Sequence, residues 1–330
     1  MLTRTVQHSA LIGFAGDVMI GRLVNSSLEE RSPTSLWGDM LPILHATDSN
    51  IGNLEAALTT STSEISKVFN FKSDPKNVAT LLDGHFQTVN IANNHILDYD
   101  INGLLETLDT LDKAGIAHIG AGRNIDEACQ PVRFTINDVT FGVLGFTDNE
   151  PGWIASNQRP GTRYIRIGDL DAISRAVSSL AAETDHVIAS IHWGPNMRIR
   201  PSDTFIRFAH ALIDRGVSLI HGHSAHLFQG IESYDTGIIL YDTGDFVDDY
   251  YVDPSLRNDQ SLFFAVEFTK DNIERVTMVP TLISNFSVNH AIGEEKKEIL
   301  ARLCLLSAER GTSLEVSEQG HAIWNRPAIE

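Results

Sequence analysis

Short apolar runs alternate with amphipathic stretches along the first two thirds of the chain, and this alternation predicts an α/β fold. Buried strands are predicted over Ala10–Gly16, Thr88–Ala92, Asp185–Ile191 and Gly216–Ile220, because each is a brief apolar run bounded by polar residues or glycine. Leucines at helical spacing predict an amphipathic helix over Ile101–Ala114. Strands that alternate with helices in this way indicate parallel sheets covered by helices.

Weaker patterns complete the predicted organisation. Further helices are predicted over Pro33–Ala46, Pro75–Asp83, Asp169–Glu183, Ser202–Arg215 and Glu294–Ser307. Further strands are predicted over Asp48–Leu58, Ile116–Ile119, Arg133–Ile136, Val139–Phe146, Gln229–Tyr234, Gly237–Tyr241, Leu262–Thr269, Ile273–Leu282 and, as one closing strand, Ser313–Trp324. Two polar stretches are predicted as loops: Thr147–Thr162, whose length makes it a candidate lid, and the acidic Asp242–Asp253.

Composition narrows the class of protein. The chain has 330 residues, 42% hydrophobic and 21% charged, with a net charge of −18, which describes an acidic globular protein. Phosphate contacts need clustered Lys and Arg, so we expect no nucleic-acid partner. The two cysteines favour a reducing compartment. The N-terminal apolar run Ala10–Ala15 is too short for a signal sequence or a membrane anchor, so we predict a cytoplasmic protein.

Polar side chains follow several predicted strands at the point where each strand ends. Four such clusters are Asp17; Asn53 and Glu55; Asn94 and His95; and His192. Parallel strands place their carboxyl ends at one edge of a sheet, where ligands bind in open α/β folds, so we expect these side chains to meet. Oxygen and imidazole ligands suit Mn, Fe, Zn or Mg, and the number of ligands exceeds what one ion needs. One or two divalent ions are therefore predicted.

The fifth cluster is the densest, with His221, His223 and His226 within six residues after the run Gly216–Ile220. Neutral imidazole is a common metal ligand, and a short loop can supply two of them. Each cluster also has a simpler explanation. Asp17 has the position of a turn or helix cap, and the Asn93–His95 stretch has that of an Asx turn.

These motifs together resemble the bacterial capsule-synthesis (CapA-type, poly-γ-glutamate biosynthesis) proteins, which are similar to the calcineurin-like metallophosphoesterases. The resemblance covers roughly residues 10–285. The matching segments, in order, are Gly16–Arg22, Asn53-Leu-Glu55, Ala92–Asp98, His192-Trp-Gly194, Gly222–His226 and Gly244-Asp-Phe246. The resemblance implies a four-layer α/β/β/α sandwich with the site where the strands end. We expect a domain over 8–288 and a helix-plus-strand extension over 289–330 packed on it.

The resemblance also implies roles for single residues. Asp17 matches the first-motif metal ligand, Asn94 the metal-site asparagine, with a share in catalysis, and His95 the catalytic histidine. His192, His223 and His226 match the remaining metal ligands.

Two positions depart from the pattern of the metallophosphoesterases. Met19 stands where the second ligand of the first motif is normally a histidine, which removes one metal ligand. Asn53-Leu-Glu55 stands where a bridging aspartate is expected, so Glu55 is the predicted replacement, with Asp245 as the weaker candidate.

The leading hypothesis is a metal-dependent hydrolase of a phosphate ester, linked to capsule or poly-γ-glutamate metabolism, in which His95 protonates the leaving oxygen. Arg22 and Arg198 are predicted to bind a small anionic or glutamyl/peptide-like substrate, with Asn53 and Asp245 as further substrate contacts. A second hypothesis is metal-assisted amide hydrolysis or epimerisation on a glutamyl or peptide substrate. A third is a non-catalytic partner in polymer or envelope assembly. The expected partners also include further copies of the same chain, which would form a homo-oligomer.

Overall fold

The computed structural model describes residues 2–327. Its strands are β1 Ala10–Val18, β2 Ser49–Leu54, β3 Ala57–Leu58, β4 Lys72–Ser73, β5 Phe86–Asn90, β6 Ala117–Ile119, β7 Ala121–Gly122, β8 Val132–Ile136, β9 Val139–Thr147, β10 Gly161–Thr162, β11 His186–His192, β12 Leu219–His223, β13 Ile231–Tyr234, β14 Gly237–Leu240, β15 Asp245–Val247, β16 Gln260–Phe268, β17 Ile273–Ser284, β18 Ser287–His290, β19 Glu315–Val316 and β20 Ala322–Asn325. The α-helices are α1 Arg22–Ser27, α2 Leu41–Leu44, α3 Val78–Asp83, α4 Asp100–Ala114, α5 Ile125–Cys129, α6 Asp171–Ala181, α7 Asp203–Ile213 and α8 Gly293–Ala308. Short 3₁₀ helices cover Pro33–Met40, Pro75–Asn77 and Pro151–Trp153.

Two mixed sheets form the centre of the fold. The larger has ten strands, with the order β19-β20-β17-β16-β1-β2-β5-β6, and with β15 paired to β1 and β18 to β17. The smaller has six strands in the order β13-β14-β12-β11-β9-β8. Strands β1, β2, β5 and β6 run parallel, as do β9, β11, β12 and β14. Each sheet therefore has one edge where several strands end together.

Apolar side chains define four layers. The core between the sheets joins Phe14 and Phe264 of the larger sheet to Phe141 and Ile188 of the smaller one. Helix α4 covers the outer face of the larger sheet, while α6 and α7 cover the smaller sheet. The predicted α/β/β/α sandwich is thereby confirmed, and it follows from burying both faces of each sheet.

Most predicted elements are present within a few residues. Helix α4 shows why the longest of them was predictable. It buries Leu104, Leu108 and Leu111 and ends at Gly115, which takes the left-handed conformation that a glycine adopts easily at a helix end (φ 72°).

Three predictions of secondary structure were wrong in detail. The helix predicted over Pro33–Ala46 is broken by Gly38, whose backbone (φ 44°, ψ −131°) is not helical, so that a 3₁₀ helix precedes α2. The acidic loop Asp242–Asp253 contains strand β15, which pairs in parallel with β1. The closing segment Ser313–Trp324 forms two antiparallel strands, β19 and β20, and β20 extends the larger sheet through β17.

Within residues 2–327 no helix combines the length and the apolar character needed to cross a bilayer.

Candidate metal centre

The parallel strands bring the predicted polar clusters to one place. Asp17 at the end of β1 pairs in register with Asn53 of β2 on one side and with Asp245 of β15 on the other. In the smaller sheet His192 of β11 lies beside His223 of β12. Asp17, His192 and His223 are completely or almost completely buried.

Glycine at position 16 permits this assembly. A Cβ atom at Gly16 would lie 1.7 Å from the carbonyl oxygen of Gly244, so any side chain would force β1 away from the segment that leads into β15. That close approach carries a hydrogen bond from the Asp17 amide to the same Gly244 oxygen, at 2.9 Å. This close approach explains why a glycine precedes Asp17, since only glycine leaves room for the Gly244 carbonyl.

The first group of potential metal ligands consists of Asp17, His192 and His223. Asp17 Oδ1 lies 3.9 Å from His192 Nδ1 and 3.6 Å from His223 Nδ1, and the two ring nitrogens are 3.0 Å apart. Asn94 adds a carboxamide oxygen next to the group, 2.9 Å from His192 Nε2. Burial lowers the pKa of His192 to about 3 and that of His223 well below its ordinary value. Both rings are thus held neutral, the form that binds metals.

The second group consists of Asp17, His226 and Asp245. His226 Nδ1 lies 2.8 Å from Asp245 Oδ1 and 3.3 Å from Asp17 Oδ2. Burial would lower the pKa of His226, but the adjacent carboxylates outweigh burial and raise it well above its ordinary value. Burial would likewise raise the pKa of Asp17, yet the hydrogen bond from His226 and the nearby His192 hold it below its ordinary value. Asp17 therefore lies between two ligand groups and belongs to both.

The loop that carries His223 and His226 has an unusual backbone. Ser224 has a φ of 115° and His226 a φ of 58°, both in the region that side chains disfavour. The loop is held there because Asp242 Oδ2 accepts from the Ala225 amide at 2.8 Å and Asp17 Oδ2 from the Ser224 amide at 3.3 Å. Backbone strain maintained by its surroundings is typical of functional loops.

His95 belongs to a separate hydrogen-bonded relay at the edge of the ligand groups. Its Nδ1 lies 2.5 Å from Asp98 Oδ2, and its Nε2 faces Glu55 Oε1 at 3.7 Å. Asp98 is held in turn by Lys67 Nζ at 2.8 Å and by the Phe71 amide at 2.8 Å. Burial lowers the pKa of His95 from its ordinary value against the opposing influence of Asp98. His95 is thus a neutral, oriented imidazole whose Nε2 is directed towards the ligand groups.

Lys67 connects this relay to the predicted lid. Its ammonium also donates to the main-chain oxygen of Asn94 and lies 5.0 Å from the centre of the Trp153 ring. Trp153 belongs to the Thr147–Thr162 loop, which is also tied to the rest of the fold through the pairing of β10 with β7. One side chain therefore contacts the relay, the main chain of Asn94 and the long loop.

Asn53 and Glu55 lie between the two ligand groups. Asn53 Nδ2 donates to Asp17 Oδ1 at 2.8 Å and to Glu55 Oε2 at 3.1 Å. Its orientation is fixed because its Oδ1 accepts from Asn93 Nδ2 at 3.0 Å, and Asn93 is itself held by the Leu54 carbonyl and the His95 amide. Asn53, predicted as a substrate contact, is thus placed as a hydrogen-bond donor to the carboxylates of Asp17 and Glu55.

Glu55, predicted as a replacement bridge, lies in neither ligand group. Its Oε1 is 4.0 Å from His192 Nε2 and has no hydrogen-bond partner, although it is completely buried. Asp245 Oδ2 is in the same situation. Buried carboxylate oxygens without donors are costly unless a cation compensates them, so these residues fit a bound divalent ion.

The two predicted arginines lie in different places. The Arg22 guanidinium lies over the rings of Phe69 and Phe71. The Phe71 ring in turn contacts the His95 ring, with 4.6 Å between centroids. The Phe71 ring therefore separates Arg22 from His95. Arg198 instead lines a separate cavity of about 190 Å³ together with Trp193 and Phe205, among others.

His221, the third histidine of the dense cluster, is an ordinary core residue. It is hydrogen-bonded to the Ala15 carbonyl at 2.9 Å and to Ser190 Oγ at 3.1 Å, and it is in neither ligand group. Sequence reasoning gave no role to Asp98 or Lys67. The spacing of Asp98, three residues after His95 in the motif Asn-Asn-His-Ile-Leu-Asp, was a signal for the first of these.

Comparisons with known proteins agree with this architecture. The family described as bacterial capsule synthesis protein PGA_cap matches residues 11–250. The PGA biosynthesis protein CapA of Bacillus subtilis (strain 168) is 31% identical over 240 residues, which cover 72% of this chain and 62% of that protein. A probable polyglutamine synthesis accessory protein of Mycobacterium tuberculosis is 31% identical over 272 residues, which cover 77% of this chain and 72% of that protein.

Among solved structures, a novel phosphatase from Mycoplasma pneumoniae superposes with a TM-score of 0.51 at 11% identity, covering 83% of this chain and 94% of the other. That likeness is one of fold. The chain spans less than two thirds of the Bacillus subtilis relative and 58% of the capsule biosynthesis protein CapA of Bacillus anthracis. The fold is a metallophosphoesterase-like sandwich, and the chain belongs to the bacterial capsule synthesis protein family.

Proposed function

We propose that the protein is a metal-dependent hydrolase that cleaves a phosphate ester of a small anionic substrate. The observation that carries the proposal is the pair of ligand groups sharing Asp17, with the oriented His95 beside them. Asp17, His192 and His223, with Asn94, would hold one ion, and Asp17, His226 and Asp245 would hold the other. Ions bound there supply Lewis-acid polarisation of a substrate oxygen and acidify water.

His95 is the residue suited to move the proton. Asp98 occupies its Nδ1, so Nε2 is the atom that takes a proton from the attacking water or gives one to the leaving oxygen. Its lowered pKa keeps Nε2 free to accept a proton at neutral pH, and Asp98 stabilises the imidazolium once it forms. Asn53 fixes the carboxylates of Asp17 and Glu55 so that they do not rotate away.

Arg22 supplies positive charge for an anionic substrate near this centre. Its guanidinium is oriented by Asp249 Oδ2 at 3.4 Å from Nε and by the two phenylalanine rings. In an acidic protein such a fixed cation is a local anion site.

Hydrolysis of p-nitrophenyl phosphate with added Mn²⁺ tests the proposal. Wild type should turn the ester over, and His95→Asn should reduce kcat about 10²- to 10⁴-fold. His8→Asn is the matched control, because His8 is exposed and its φ of 65° suits asparagine. Equal rates for His95→Asn and wild type would exclude the assigned role of His95.

A second candidate function is hydrolysis of a γ-glutamyl amide by the same residues. It is favoured by the names of the relatives, which refer to PGA biosynthesis and polyglutamine synthesis. The two functions separate in parallel assays with the aryl phosphate and with γ-glutamyl-p-nitroanilide. Turnover of the anilide alone would replace the phosphatase proposal, and turnover of neither by metal-loaded protein would favour a non-catalytic role in polymer or envelope assembly.

A further inference from the structure

A cavity next to the candidate metal centre has no part in the proposed reaction. Its volume is about 190 Å³, and its lining includes Trp193, Phe205, Tyr241 and Arg198. A dry cavity of about 150 Å³ is large enough to hold benzene. This cavity therefore has room for a molecule with a single six-membered ring.

The buried residues of the lining form an aromatic floor whose polar atoms already have partners. Trp193 is 4% exposed and Tyr241 1% exposed. The Trp193 indole N–H donates to the Tyr241 carbonyl at 2.8 Å, and the Tyr241 hydroxyl donates to Glu232. The Phe205 ring meets the Trp193 ring edge to face, with 5.2 Å between centroids. Aromatic side chains in this arrangement favour a further flat ring, which can pack on them edge to face or offset.

The exposed residues of the lining form a rim that carries an uncompensated positive charge. Arg198 and Arg200 both lie there, but Arg200 is paired with Glu309 at 2.6 and 2.7 Å. Among residues 2–327, no acidic side chain forms a salt bridge with Arg198. In a chain with a net charge of −18, a guanidinium without an acidic partner is suited to an anion from outside the chain.

An acidic side chain in the floor determines which way round such a molecule would bind. Asp242 is 2% exposed, and its two oxygens accept from the Ala225 amide at 2.8 Å and from the Gly244 amide at 2.9 Å. An anionic group would be repelled by this carboxylate at the floor and attracted by Arg198 at the rim. The ring should therefore lie on the floor, with the anionic group at the rim.

The cavity shares a wall with the loop that carries two candidate metal ligands. Ala225, which lies between His223 and His226 in the chain, lines the cavity. The carbonyl of Ala225 accepts from the Met197 amide at 2.8 Å, which fastens the rim segment to the ligand loop. A molecule in the cavity would thus contact the backbone that positions both histidines.

We propose that this cavity is a binding site for an aromatic ring that carries one anionic group, with the ring against Trp193 and the anionic group at Arg198. The inference goes beyond the proposed function, because it concerns binding and requires neither a bound ion nor turnover.

Titration of benzoate into the metal-free full chain, with isotope-labelled tryptophan, tests the proposal. The nuclear magnetic resonance signal of the Trp193 indole, identified by its loss in Trp193→Phe, should shift and saturate. Absence of metal excludes binding of the carboxylate to an ion. Benzamide has the ring without the charge, and acetate has the charge without the ring. Each should bind at least about tenfold more weakly than benzoate, because each lacks one of the two recognised parts.

Two variants separate the rim charge from the cavity. Arg198→Met should weaken benzoate binding about tenfold, to the level of benzamide. Arg207→Met is the matched control, because Arg207 is exposed, lies outside the lining and donates to the Thr204 hydroxyl at 3.3 Å. Ser202→Phe should abolish binding although Arg198 is retained. Ser202 is an exposed part of the lining and makes no capping hydrogen bond, so a phenylalanine there can fill the cavity.

Three results would overturn the proposal. They are an unchanged Trp193 signal in benzoate, equal affinities for benzoate and acetate, and wild-type benzoate affinity in Arg198→Met.

The ring can belong to a distal part of the substrate or to a separate molecule, and hydrolysis of p-nitrophenyl phosphate distinguishes these sources. Benzoate that raises KM at constant kcat in wild type, but not in Arg198→Met, would indicate a part of the substrate. Benzoate that changes kcat at constant KM, with the same dependence on Arg198, would indicate a separate molecule. Benzoate binding without any hydrolysis by metal-loaded protein would overturn the proposed function and leave this site standing.

Discussion

Two buried carboxylate sites lie near opposite ends of β1, and they are built in opposite ways. Near its start, Glu267 of β16 accepts from the Thr5 amide at 2.8 Å, the Thr5 hydroxyl at 2.6 Å, the Val6 amide at 2.9 Å and the Ser9 hydroxyl at 2.7 Å. At its end, Glu55 and Asp245 each retain a buried oxygen without a donor.

The pKa of each buried carboxyl group depends on whether it has hydrogen-bond donors. Burial would raise the pKa of Glu267, but the hydrogen bonds from Thr5, Val6 and Ser9 outweigh burial and lower it. Burial raises the pKa of Glu55, and the neighbouring Asp17 adds to this effect. A buried carboxylate that the chain itself satisfies fastens the N-terminal segment to the sheet, whereas one left unsatisfied is suited to an ion.

Removal of metal should produce the largest difference between the two carboxylate sites. An ion present at about 1,000 times its Kd should raise the free energy of unfolding by roughly 4 kcal/mol, because it binds the native site and not the unfolded chain. EDTA should therefore abolish hydrolysis and lower the urea midpoint of wild type, and Mn²⁺ should restore both. Glu267→Gln should show the same metal-dependent difference, since its site needs no ion. Identical urea curves with EDTA and with Mn²⁺ would contradict the distinction.

Lys67 tests a carboxylate that lies at the candidate centre but has hydrogen-bond donors. That carboxylate is Asp98, which accepts from Lys67 Nζ and from the Phe71 amide. Lys67→Met should lower kcat about 10- to 100-fold at unchanged metal content, since a residue that orients a catalytic group has effects of that size. Lys67→Arg should recover part of the loss. Lys72→Met is the control: Lys72 donates to the Ser61 carbonyl and lies over Tyr99, so it does not touch Asp98. Equal losses in both methionine variants would show that the effect does not depend on the contact between Lys67 and Asp98.

The two carboxylate sites should respond oppositely to neutral replacement. In EDTA, Glu267→Gln should lower the free energy of unfolding by about 1–3 kcal/mol, because an amide leaves some of the donors without an acceptor. Glu55→Gln should raise it by about 1 kcal/mol at neutral pH, because the raised pKa of Glu55 means that folding must either bury a charge or bind a proton, and glutamine requires neither. Urea unfolding of both variants beside wild type measures the difference. A loss of stability of similar size in both would remove the contrast.

Acid should produce the smallest effect, at the Glu267 site. The folded-state pKa of Glu267 lies below its unfolded value, so its contribution is full above the unfolded pKa and is lost as the pH falls through the folded pKa. Between pH 6 and pH 3.5, metal-free wild type should therefore lose about 1 kcal/mol more stability than Glu267→Gln. Parallel pH dependences in the two proteins would show that Glu267 does not change its proton affinity on folding.

Local patterns were sufficient for most of the fold. The leucine spacing of α4 and the apolar runs of β1 and β11 predicted those elements because each depends on which face is buried. Strand β15 was missed because it has three residues, and its pairing with β1, rather than its own propensity, makes it a strand.

Part of the candidate site could also be predicted from local patterns. Parallel strands gather their carboxyl ends, so the sequence alone brought Asp17, His192 and His223 together, and their residue types indicated divalent metals. Spacing alone did not separate His221 from its neighbours, because alternation along β12 puts His221 and His223 on the same face; the family resemblance left His221 out, and its partners across the sheets give the physical reason.

The sequence by itself thus determined the layered α/β architecture, the edge where the candidate ligands meet and the residue types found there, since these follow from periodicity and from the order of strands. Tertiary structure alone decided the rest. It placed Lys67 against Asp98, turned Asn53 into a donor and brought Asp245 to Asp17. Contacts of this kind join residues far apart in the chain, and no local pattern encodes which distant group will satisfy, or leave unsatisfied, a buried charge.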